Sequence, residues 1–333
     1  MILLIRKKIK MKKILLIGDP HYKVSNRRET SEFEKSVLEN LEEIKNLDFI
    51  VVLGDILDTH EKIHIQPLCR AVDFIIKLSK FAKTYLLIGN HDRINNNVYM
   101  SPEHPFTGLK RRENIVVVDE TVREEDFAFV PYVPNGRFHE ALGPDYQHFH
   151  AIFAHQEFRG CKMGALVSET GDLWDTLDPP VFSGHIHDYQ QPQKNILYTG
   201  TPFQHSFGDS SEKNIFILEI DETKIWNLEP IKLDVVQKRL FNMKISEFDE
   251  FVPPENTLLK INFHCEESDI KTIMTSSEFQ NKIAKYSIEY RVKVKKSEPV
   301  VKRKKGFLES LKRRIETSSR DIRETFSDIF GKL

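Results

Sequence analysis

The sequence predicts an α/β fold in which two packed mixed β-sheets are flanked by helices, followed by a small α+β domain and a C-terminal helical tail. In the N-terminal third, short uninterrupted apolar runs, typical of strands buried on both faces, alternate with amphipathic helical patterns. After residue 114, apolar runs follow one another with turn residues between them and no long helical pattern. A chain of 333 residues is long enough for one large core and a smaller domain.

The N-terminal alternation predicts a parallel sheet. Strands are expected at residues 13–17, 49–52 and 84–88, and amphipathic helices at residues 30–46 and 67–82. Strand, helix, strand in this order implies right-handed crossovers. The loops that follow the carboxyl ends of the strands therefore gather along one edge of the sheet.

A second sheet, mostly antiparallel or mixed, is expected from the later apolar runs. These are IVVVD, FAFVPYVP, HAIFAH, ILYTG and NIFILEI. The pattern then changes to a strand KINFH, a helix near residues 267–284 and an alternating strand SIEYRVKV. We divide the chain into an N-terminal extension (1–10), a main domain (11–236), a small α+β domain (237–297), and a basic linker with a C-terminal helix (298–333). Met11 is a plausible alternative start.

Composition excludes several classes of protein. Hydrophobic residues at 40% and charged residues at 30% are typical of a soluble globular chain. The net charge of -1 means that any nucleic-acid binding must come from local clusters. Cys69, Cys161 and Cys265 are odd in number and far apart, which argues against disulfides and a thiolate zinc site. Without a membrane span or signal peptide, we expect an intracellular, cytoplasmic protein.

Residues suited to metal binding follow the apolar runs of the main domain. They are Asp19, His21, Asp55, Asn90, His91, His155, His185 and His187. Asp19 and His21 are spaced by two residues, as are His185 and His187. Extended backbone would place both side chains of each pair on one face. Carboxylate, amide and imidazole groups without thiolates suit divalent manganese, iron or zinc. Asp55, at the end of the strand FIVV, is the candidate to bridge two ions about 3.5 to 4 Å apart, the arrangement used to hydrolyse phosphate esters.

Several of these residues have alternative interpretations. Asn90 also fits a turn cap, and His155 also fits a buried core histidine. For His205, packing within a turn is favoured. His60 receives no catalytic role.

The motifs, taken together, resemble a known family. The ordered set DPH, GD, GNHD, a lone histidine after an apolar strand, and GHIH is similar to the calcineurin-like metallophosphoesterase superfamily over residues 12–220. GDILDT at 54–59, SGHIHDYQ at 183–190 and YTGTPFQHSFGD at 198–209 resemble the SbcD-type nucleases, the bacterial and phage relatives of the eukaryotic meiotic-recombination nuclease. The compact length is typical of a phage or viral member.

This resemblance implies a two-metal site. One ion would be held by Asp19, His21, Asp55 and His187, and the other by Asp55, Asn90, His155 and His185. The ions implied are Mn²⁺ first, with Mg²⁺, Fe²⁺ or Zn²⁺ as alternatives. His91 would stabilise the transition state or protonate the leaving oxygen. Some members carry a histidine where this chain has Asp58, and His60 lies out of register with it.

The implied reaction is hydrolysis of DNA phosphodiester bonds, as a double-strand exonuclease and single-strand endonuclease in recombination and repair, by a homodimer. A free-standing metallophosphatase or small-molecule phosphodiesterase is the alternative. A third possibility is a DNA-end scaffold with a decayed site, but no ligand position is missing. The small domain and basic tail favour the nuclease, since a small substrate requires neither.

Two features of the tail predict partners. A basic cluster would contact DNA phosphates, with a solvated linker as the alternative; it consists of Lys302, Arg303, Lys304 and Lys305. An apolar stripe at helical spacing predicts a seam against another helix or against the chain's own domain; it consists of Leu308, Leu311, Ile315, Ile322, Phe326 and Ile329. The resemblance implies that this helix docks on the coiled coil of an SbcC-type ATPase.

Overall fold

In this computed structural model, the structure describes residues 11–60, 62–266, 275–294, 313–320, 322 and 325. The predicted extension at residues 1–10 lies outside the described residues. The chain divides into two compact units, Met1–Leu240 with Pro254–Leu259, and Phe241–Pro253 with Lys260–Leu333. The domain boundaries drawn at residues 236 and 297 stay predictions.

The strands of the first unit form two large sheets and one short hairpin. The first sheet is built from β1 (Lys12–Ile17), β2 (Phe49–Val52), β3 (Lys83–Leu87), β4 (Ile115–Val118), β13 (Asn214–Ile220) and β14 (Trp226–Lys232). The second is built from β5 (Val122–Glu124), β6 (Phe127–Val130), β7 (Ala151–Ala154), β10 (Val181–Ser183), β11 (Gln190–Gln193) and β12 (Ile196–Tyr198). The hairpin consists of β8 (Lys162–Met163) and β9 (Leu166–Val167).

Both large sheets are mixed. The first has the order β14-β13-β1-β2-β3-β4, in which β1 to β4 are parallel and β13 and β14 are antiparallel additions. The second has the order β11-β12-β10-β7-β6-β5, with β12, β10, β7 and β6 parallel. The predicted fold class, two mixed sheets with helices, is confirmed.

Helices within the described residues include α1 (Arg27–Glu43), α2 (Ile65–Leu78), α3 (Phe138–Leu142) and α4 (Ser277–Lys285), and residues 313–316 are also helical; 3-10 turns lie at Val24–Asn26, Thr107–Arg111 and Ile245–Glu247. Within the part of the chain that the structure describes, no helix has the length and apolarity needed to cross a membrane.

The alternation of side chains along β1 shows how the layers pack. Leu15 and Ile17 face one way and join a core with Phe33 of α1 and Phe74 of α2. The alternate residues of β1 face the second sheet, in an aromatic core that includes Phe49, and all of these are buried. A further core covers the outer face of the second sheet with α3. The central strands of each sheet are thus buried on both faces, which explains their unbroken apolar runs.

Strand pairing differs from expectation in one respect. The runs at 115–118 and 214–220, expected in the second sheet, belong to the first. Ile115 lies opposite Thr84 in a parallel pair with β3, and Leu218 lies opposite Ile14 in an antiparallel pair with β1. An apolar run indicates that a strand is buried, but not which neighbour it pairs with.

The second unit has its own small core. A three-stranded sheet consists of β15 (Gln237–Lys244), β16 (Thr257–Cys265) and β17 (Glu289–Val294), in the order β15-β16-β17, with β16 and β17 parallel. Ser276 caps α4 by accepting a hydrogen bond from the backbone N–H of Phe279. Phe248, Phe263 and Phe279 pack with ring centroids 5.0 to 5.5 Å apart. The first part of the predicted helix, at 267–274, lies outside the described residues.

Candidate metal centre

Every predicted ligand lies in a loop that follows a parallel strand. The first sheet supplies loops after β1, β2 and β3, and the second sheet supplies loops after β7 and β10. In chain order these loops carry Asp19 and His21, Asp55, Asn90 and His91, His155, and His185 and His187. The carboxyl ends of both sets of strands therefore meet at one place, as the sequence indicated for the first sheet alone.

The structure brings these side chains together in two clusters. The first cluster is Asp19, His21 and His187, and the second cluster is Asp55, His155 and His185. Within each cluster, one ligand atom per residue lies within 4.8 Å of the others.

Asp55, a member of the second cluster, also lies next to the first cluster. Its Oδ2 is 3.3 Å from Nε2 of His155 and 3.7 Å from Nε2 of His21. Asn90 adds an amide oxygen beside the second cluster, with Oδ1 3.0 Å from Nε2 of His155 and 2.9 Å from Nδ1 of His185. The donor atoms thus form a continuous set around one carboxylate.

Hydrogen bonding at His155 fits a metal ligand. Its Nδ1 lies 2.7 Å from the carbonyl oxygen of Leu53, which can only accept, so Nδ1 carries the hydrogen. In the neutral ring, Nε2 then presents a lone pair towards the oxygens of Asp55 and Asn90. A ring N–H bound to a carbonyl, with the other nitrogen directed at carboxylate and amide oxygens, is typical of histidines that hold metals.

The charges of the site also favour a cation. Burial lowers the pKa of His155, but the carboxylates of Asp55 and Asp19 outweigh it and raise the pKa to about 9. Burial, with the charge of His155, lowers the pKa of His185 to about 3, and burial keeps the pKa of His21 well below its usual value. The neutral rings of His185 and His21 next to carboxylates are a ligand set for divalent ions, and at His155 a bound ion would take the place of the Nε2 proton.

One carboxylate oxygen of the first cluster accepts no hydrogen bond. Asp19 is fully buried, its Oδ2 accepts the backbone N–H of His185 at 2.8 Å, and its Oδ1 has no hydrogen bond. Nδ1 of His21 is likewise buried without a hydrogen bond. A buried carboxylate oxygen without a hydrogen bond is costly, and burial raises the pKa of Asp19 well above its usual value. A cation at this oxygen would remove that cost.

Three of the predicted ligands have strained backbone. His21, Asp55 and His185 have φ values of 44°, 47° and 78°, in the left-handed region that residues with a Cβ seldom adopt. Such strain persists only where the surroundings impose it, and it occurs most often at functional sites.

Glycines permit the close approach of the loops. Gly54 has φ of 103°, and a Cβ there would collide with the ring of His155. A Cβ on Gly184 would collide with the carboxylate of Asp19 and the carbonyl of Leu53. The GD and GHIH motifs therefore need glycine for packing as well as for the turn.

His91 is held beside the clusters without belonging to either. Its backbone N–H donates to Oδ1 of Asp55 at 2.8 Å, and its Nδ1 lies 3.0 Å from the carbonyl oxygen of Asp58. Nδ1 therefore carries the hydrogen, and Nε2 is left for a substrate. His60, to which we assigned no role, stacks on this ring with centroids 4.5 Å apart.

Two residues of the site were missed by sequence reasoning. Asp92 is buried and accepts backbone N–H bonds from Ile56, Leu57 and Gly89, which ties the loops after β2 and β3 together. Burial and the nearby Asp55 raise the pKa of Asp92 to about 6. Its place in GNHD was the available signal.

His205 is the second missed residue. Its ring lies 5.0 Å from that of His21, and its Nε2 donates to the backbone carbonyl of Asp19 at 3.0 Å. It thus supports the loop after β1 from the turn in which it was expected only to pack. The signal was its place in YTGTPFQHSFGD.

Most of the tail residues that were predicted to contact partners lie outside the residues that the structure describes. Ile315 is half-buried and Ile322 is exposed. The remaining tail residues singled out from the sequence lie outside the described residues; they are Lys302, Arg303, Lys304, Lys305, Leu308, Leu311, Phe326 and Ile329.

Comparison with known proteins gives relatives with the same domain. The profile of the calcineurin-like phosphoesterase family matches residues 12–189. A protein of Invertebrate iridescent virus 6 with the provisional name phosphoesterase 244L is 43% identical over 262 residues, which are 75% of this chain and 92% of that protein. A protein of Invertebrate iridescent virus 3 with the provisional name phosphoesterase 078R is 40% identical over 243 residues, 70% of each.

One of the solved structures that are similar to this chain is a bacterial protein. It is the crystal structure of Pseudomonas putida nuclease MPE, with a TM-score of 0.32 and 18% identity, covering 66% of this chain and 87% of that chain. A similarity of this size carries no argument about function. The profile match and the two viral relatives do carry such an argument. They show that the chain belongs to the calcineurin-like phosphoesterase family.

Proposed function

We propose that this phosphoesterase is a two-metal DNA nuclease, with Mn²⁺ as the working ion. As a member of its family, the chain is a phosphoester hydrolase that uses divalent metals. The observation that carries the two-metal proposal is the position of Asp55, whose Oδ2 lies within 3.7 Å of a ring nitrogen from His21 and within 3.3 Å of one from His155. One carboxylate can thus serve both clusters.

The protein's residues would divide the work. Asp19, His21, Asp55 and His187 would hold one ion, and Asp55, Asn90, His155 and His185 the other. Divalent ions in such sites polarise the phosphoryl group and make a water acidic enough to attack at neutral pH. In its imidazolium form, with Nδ1–H held by the carbonyl of Asp58, His91 would donate the Nε2 proton to the leaving oxygen and be left as the neutral ring.

The choice of DNA as substrate is supported by the motif YTGTPFQHSFGD, which resembles SbcD-type nucleases. This segment contacts the site directly. The backbone N–H of Thr201 donates to the carbonyl of His187 at 3.1 Å, and His205 supports the loop of Asp19. The part of the motif that is similar to the nucleases is therefore part of the site.

Hydrolysis of end-labelled DNA tests the proposal. With Mn²⁺, we expect the wild-type protein to release nucleotides from duplex ends and to cut single strands. His91→Ala should lower the rate about 10²- to 10⁴-fold, as for loss of a general acid, and keep its metal. Release of phosphate from p-nitrophenyl phosphate, with no cleavage of DNA, would instead identify a free-standing phosphatase or small-molecule phosphodiesterase.

A partner for the tail is a further part of the proposal. We infer that the C-terminal helix docks on an SbcC-type coiled-coil ATPase in DNA-end processing, and that the nuclease acts as a homodimer in the host cytoplasm. Exposure of Ile322 supports an apolar stripe turned away from the chain's own core. Removing residues 306–333 should abolish co-purification with the ATPase but leave hydrolysis of short single strands. Intact co-purification would contradict this assignment.

A further inference from the structure

A cleft of about 900 Å³ opens directly beside the first cluster. His187 forms part of its wall, together with the two residues that follow it, Asp188 and Tyr189. Further lining comes from the segment 206–213, which links the YTGTP turn to β13, and from the start of β13. The volume is within the range of about 300 to 1,000 Å³ typical of pockets for small ligands. None of the roles assigned above uses this space.

The cleft has an aromatic wall. The ring of Tyr189 stacks on that of Phe216, with centroids 5.3 Å apart and planes inclined by 20°. Phe216 is only 3% exposed and belongs to the core between the sheets, whereas Tyr189 is 53% exposed. A rigid ring therefore supports an accessible one, the arrangement that base stacking requires.

The position of Tyr189 relative to the metal ligands is fixed. The carbonyl of His187, two residues earlier, accepts from the backbone N–H of Thr201 at 3.1 Å and from Nζ of Lys213 at 2.7 Å. A Cβ on Gly200, whose φ is 69°, would lie 2.8 Å from the backbone nitrogen of Tyr189. The segment is thus packed against the YTGTP turn, and a ligand stacked on Tyr189 would lie next to the first cluster.

Charge limits what the cleft can accept. Its lining carries three carboxylates, Asp188, Asp209 and Glu212, against one ammonium, Lys213. Lys213 is 3.7 Å from Asp188, and Asp209 accepts backbone N–H bonds from its own turn. A run of phosphates would be repelled by this lining, whereas an uncharged base and sugar would not.

We propose that this cleft binds the nucleoside next to the scissile phosphate, with its base stacked on Tyr189. The proposal rests on the proposed function, because it needs a nucleic-acid phosphodiester at the metal centre. It adds a base-binding subsite that is tolerant of base identity, since every base offers a face for stacking. The hydroxyl of Tyr189 has no part in it.

Equilibrium binding tests the subsite without turnover. The full-length His91→Ala protein, loaded with Mn²⁺, is titrated into a fluorescein-labelled thymidine oligonucleotide and into an abasic oligonucleotide of the same length. Adding Tyr189→Ala should weaken binding of the thymidine strand about tenfold, the loss expected for one stacked base, and leave binding of the abasic strand unchanged. Adding Tyr189→Phe should leave both unchanged, and adding Tyr189→Leu should behave as Tyr189→Ala.

Three outcomes would overturn the subsite. In the first, Tyr189→Ala weakens binding of the thymidine and abasic strands equally. In the second, Tyr189→Ala changes the binding of neither strand. In the third, the His91→Ala protein with Tyr189 intact does not bind the thymidine strand. Metal content and melting temperature check that each variant is folded. Failure of the proposed function is a separate result: the wild-type protein would leave the thymidine strand uncut, while binding would still depend on its bases and on Tyr189.

Discussion

The two clusters have the same donor chemistry but differ in enclosure. In the second cluster, His155 is fully buried between the sheets and its Nδ1 is bound to the carbonyl of Leu53. In the first cluster, His187 is exposed and forms part of the wall of the cleft. Enclosure thus differs at one residue of each cluster: Asp19, His21, Asp55 and His155 are all buried, but His187 is exposed where His185 is half-buried.

This difference follows from the origin of the loops. His155 comes directly after β7, a strand whose neighbours β6 and β10 both lie in the second sheet. His187 lies further along the loop after β10, where the chain leaves the sheet. We therefore expect a change at His155 to affect both stability and metal binding, and a change at His187 to affect metal binding and substrate.

The largest effect is expected at the residue that the clusters share. Asp55→Asn should lose both ions and lower hydrolysis of bis(p-nitrophenyl) phosphate by about 10³-fold or more, because metal ions contribute several kcal/mol to such reactions. Metal content measures the first effect directly. A second readout is thermal unfolding, since Mn²⁺ at 100 times its Kd stabilises a protein with one site by about 2.7 kcal/mol, and this stabilisation should vanish in the variant.

Asp73→Asn is the surface control for Asp55→Asn. Asp73 lies on α2, its side chain is 60% exposed and its ion pair is with Lys77. It should keep both ions and nearly all activity. A metal content in Asp55→Asn equal to that of the wild type would refute the shared role, and the clusters would then have to bind independently.

The second largest effect separates the clusters. His155→Ala removes the buried partner of Asp55, 3.3 Å away, and should destabilise the metal-free protein by about 3 to 5 kcal/mol, as for breaking a buried ion pair. His187→Ala removes an exposed ring whose Nε2 lies 3.1 Å from that of His21, and should cost less, about 0.5 to 1.5 kcal/mol, as for one hydrogen bond. Both should bind less metal. Denaturant unfolding with a chelator present measures the difference, and equal destabilisation would show that the clusters are equally enclosed.

Sequence patterns identified the donor residues of both clusters because each follows the abrupt end of an apolar run. Asp55 after FIVV and His155 after AIFA could be located in this way without knowing the fold. The difference in enclosure could not be predicted. It depends on which strands pair, and the runs at 115–118 and 214–220 joined the first sheet because of long-range pairing that local periodicity does not encode.

Supporting residues were harder to predict than donors. Asp92 acts through three backbone N–H groups, and its place in GNHD does not show which groups these are. His205 reaches the first cluster only because the YTGTP turn packs against the loop of Asp19. A metal-binding side chain can be recognised in the sequence by its chemistry. A residue that positions such a side chain can be recognised only from its neighbours in the folded structure.

A smaller effect is expected from one of these supports. Asp92→Asn replaces a carboxylate that accepts three backbone N–H bonds by an amide with one acceptor oxygen, so the loops that carry Asp55 and Asn90 should loosen. We expect metal affinity and activity to fall about 10- to 100-fold, as for other residues that orient ligands. Asp119→Asn, a buried carboxylate bound to His104 and Lys110 away from the site, is the control. Similar metal affinities in the two variants would contradict the role of Asp92.

The smallest effect is expected outside both clusters, at His60. Its ring stacks on His91 with planes inclined by 21°, and aromatic pairs of this kind contribute about 0.5 to 1.5 kcal/mol. His60→Ala should therefore lower kcat about 2- to 10-fold through a less ordered His91, with no change in metal content. His60→Phe keeps a ring on His91 and should restore most of the rate. If His60→Phe is as slow as His60→Ala, the imidazole itself is needed, and His60 contacts the substrate rather than positioning His91.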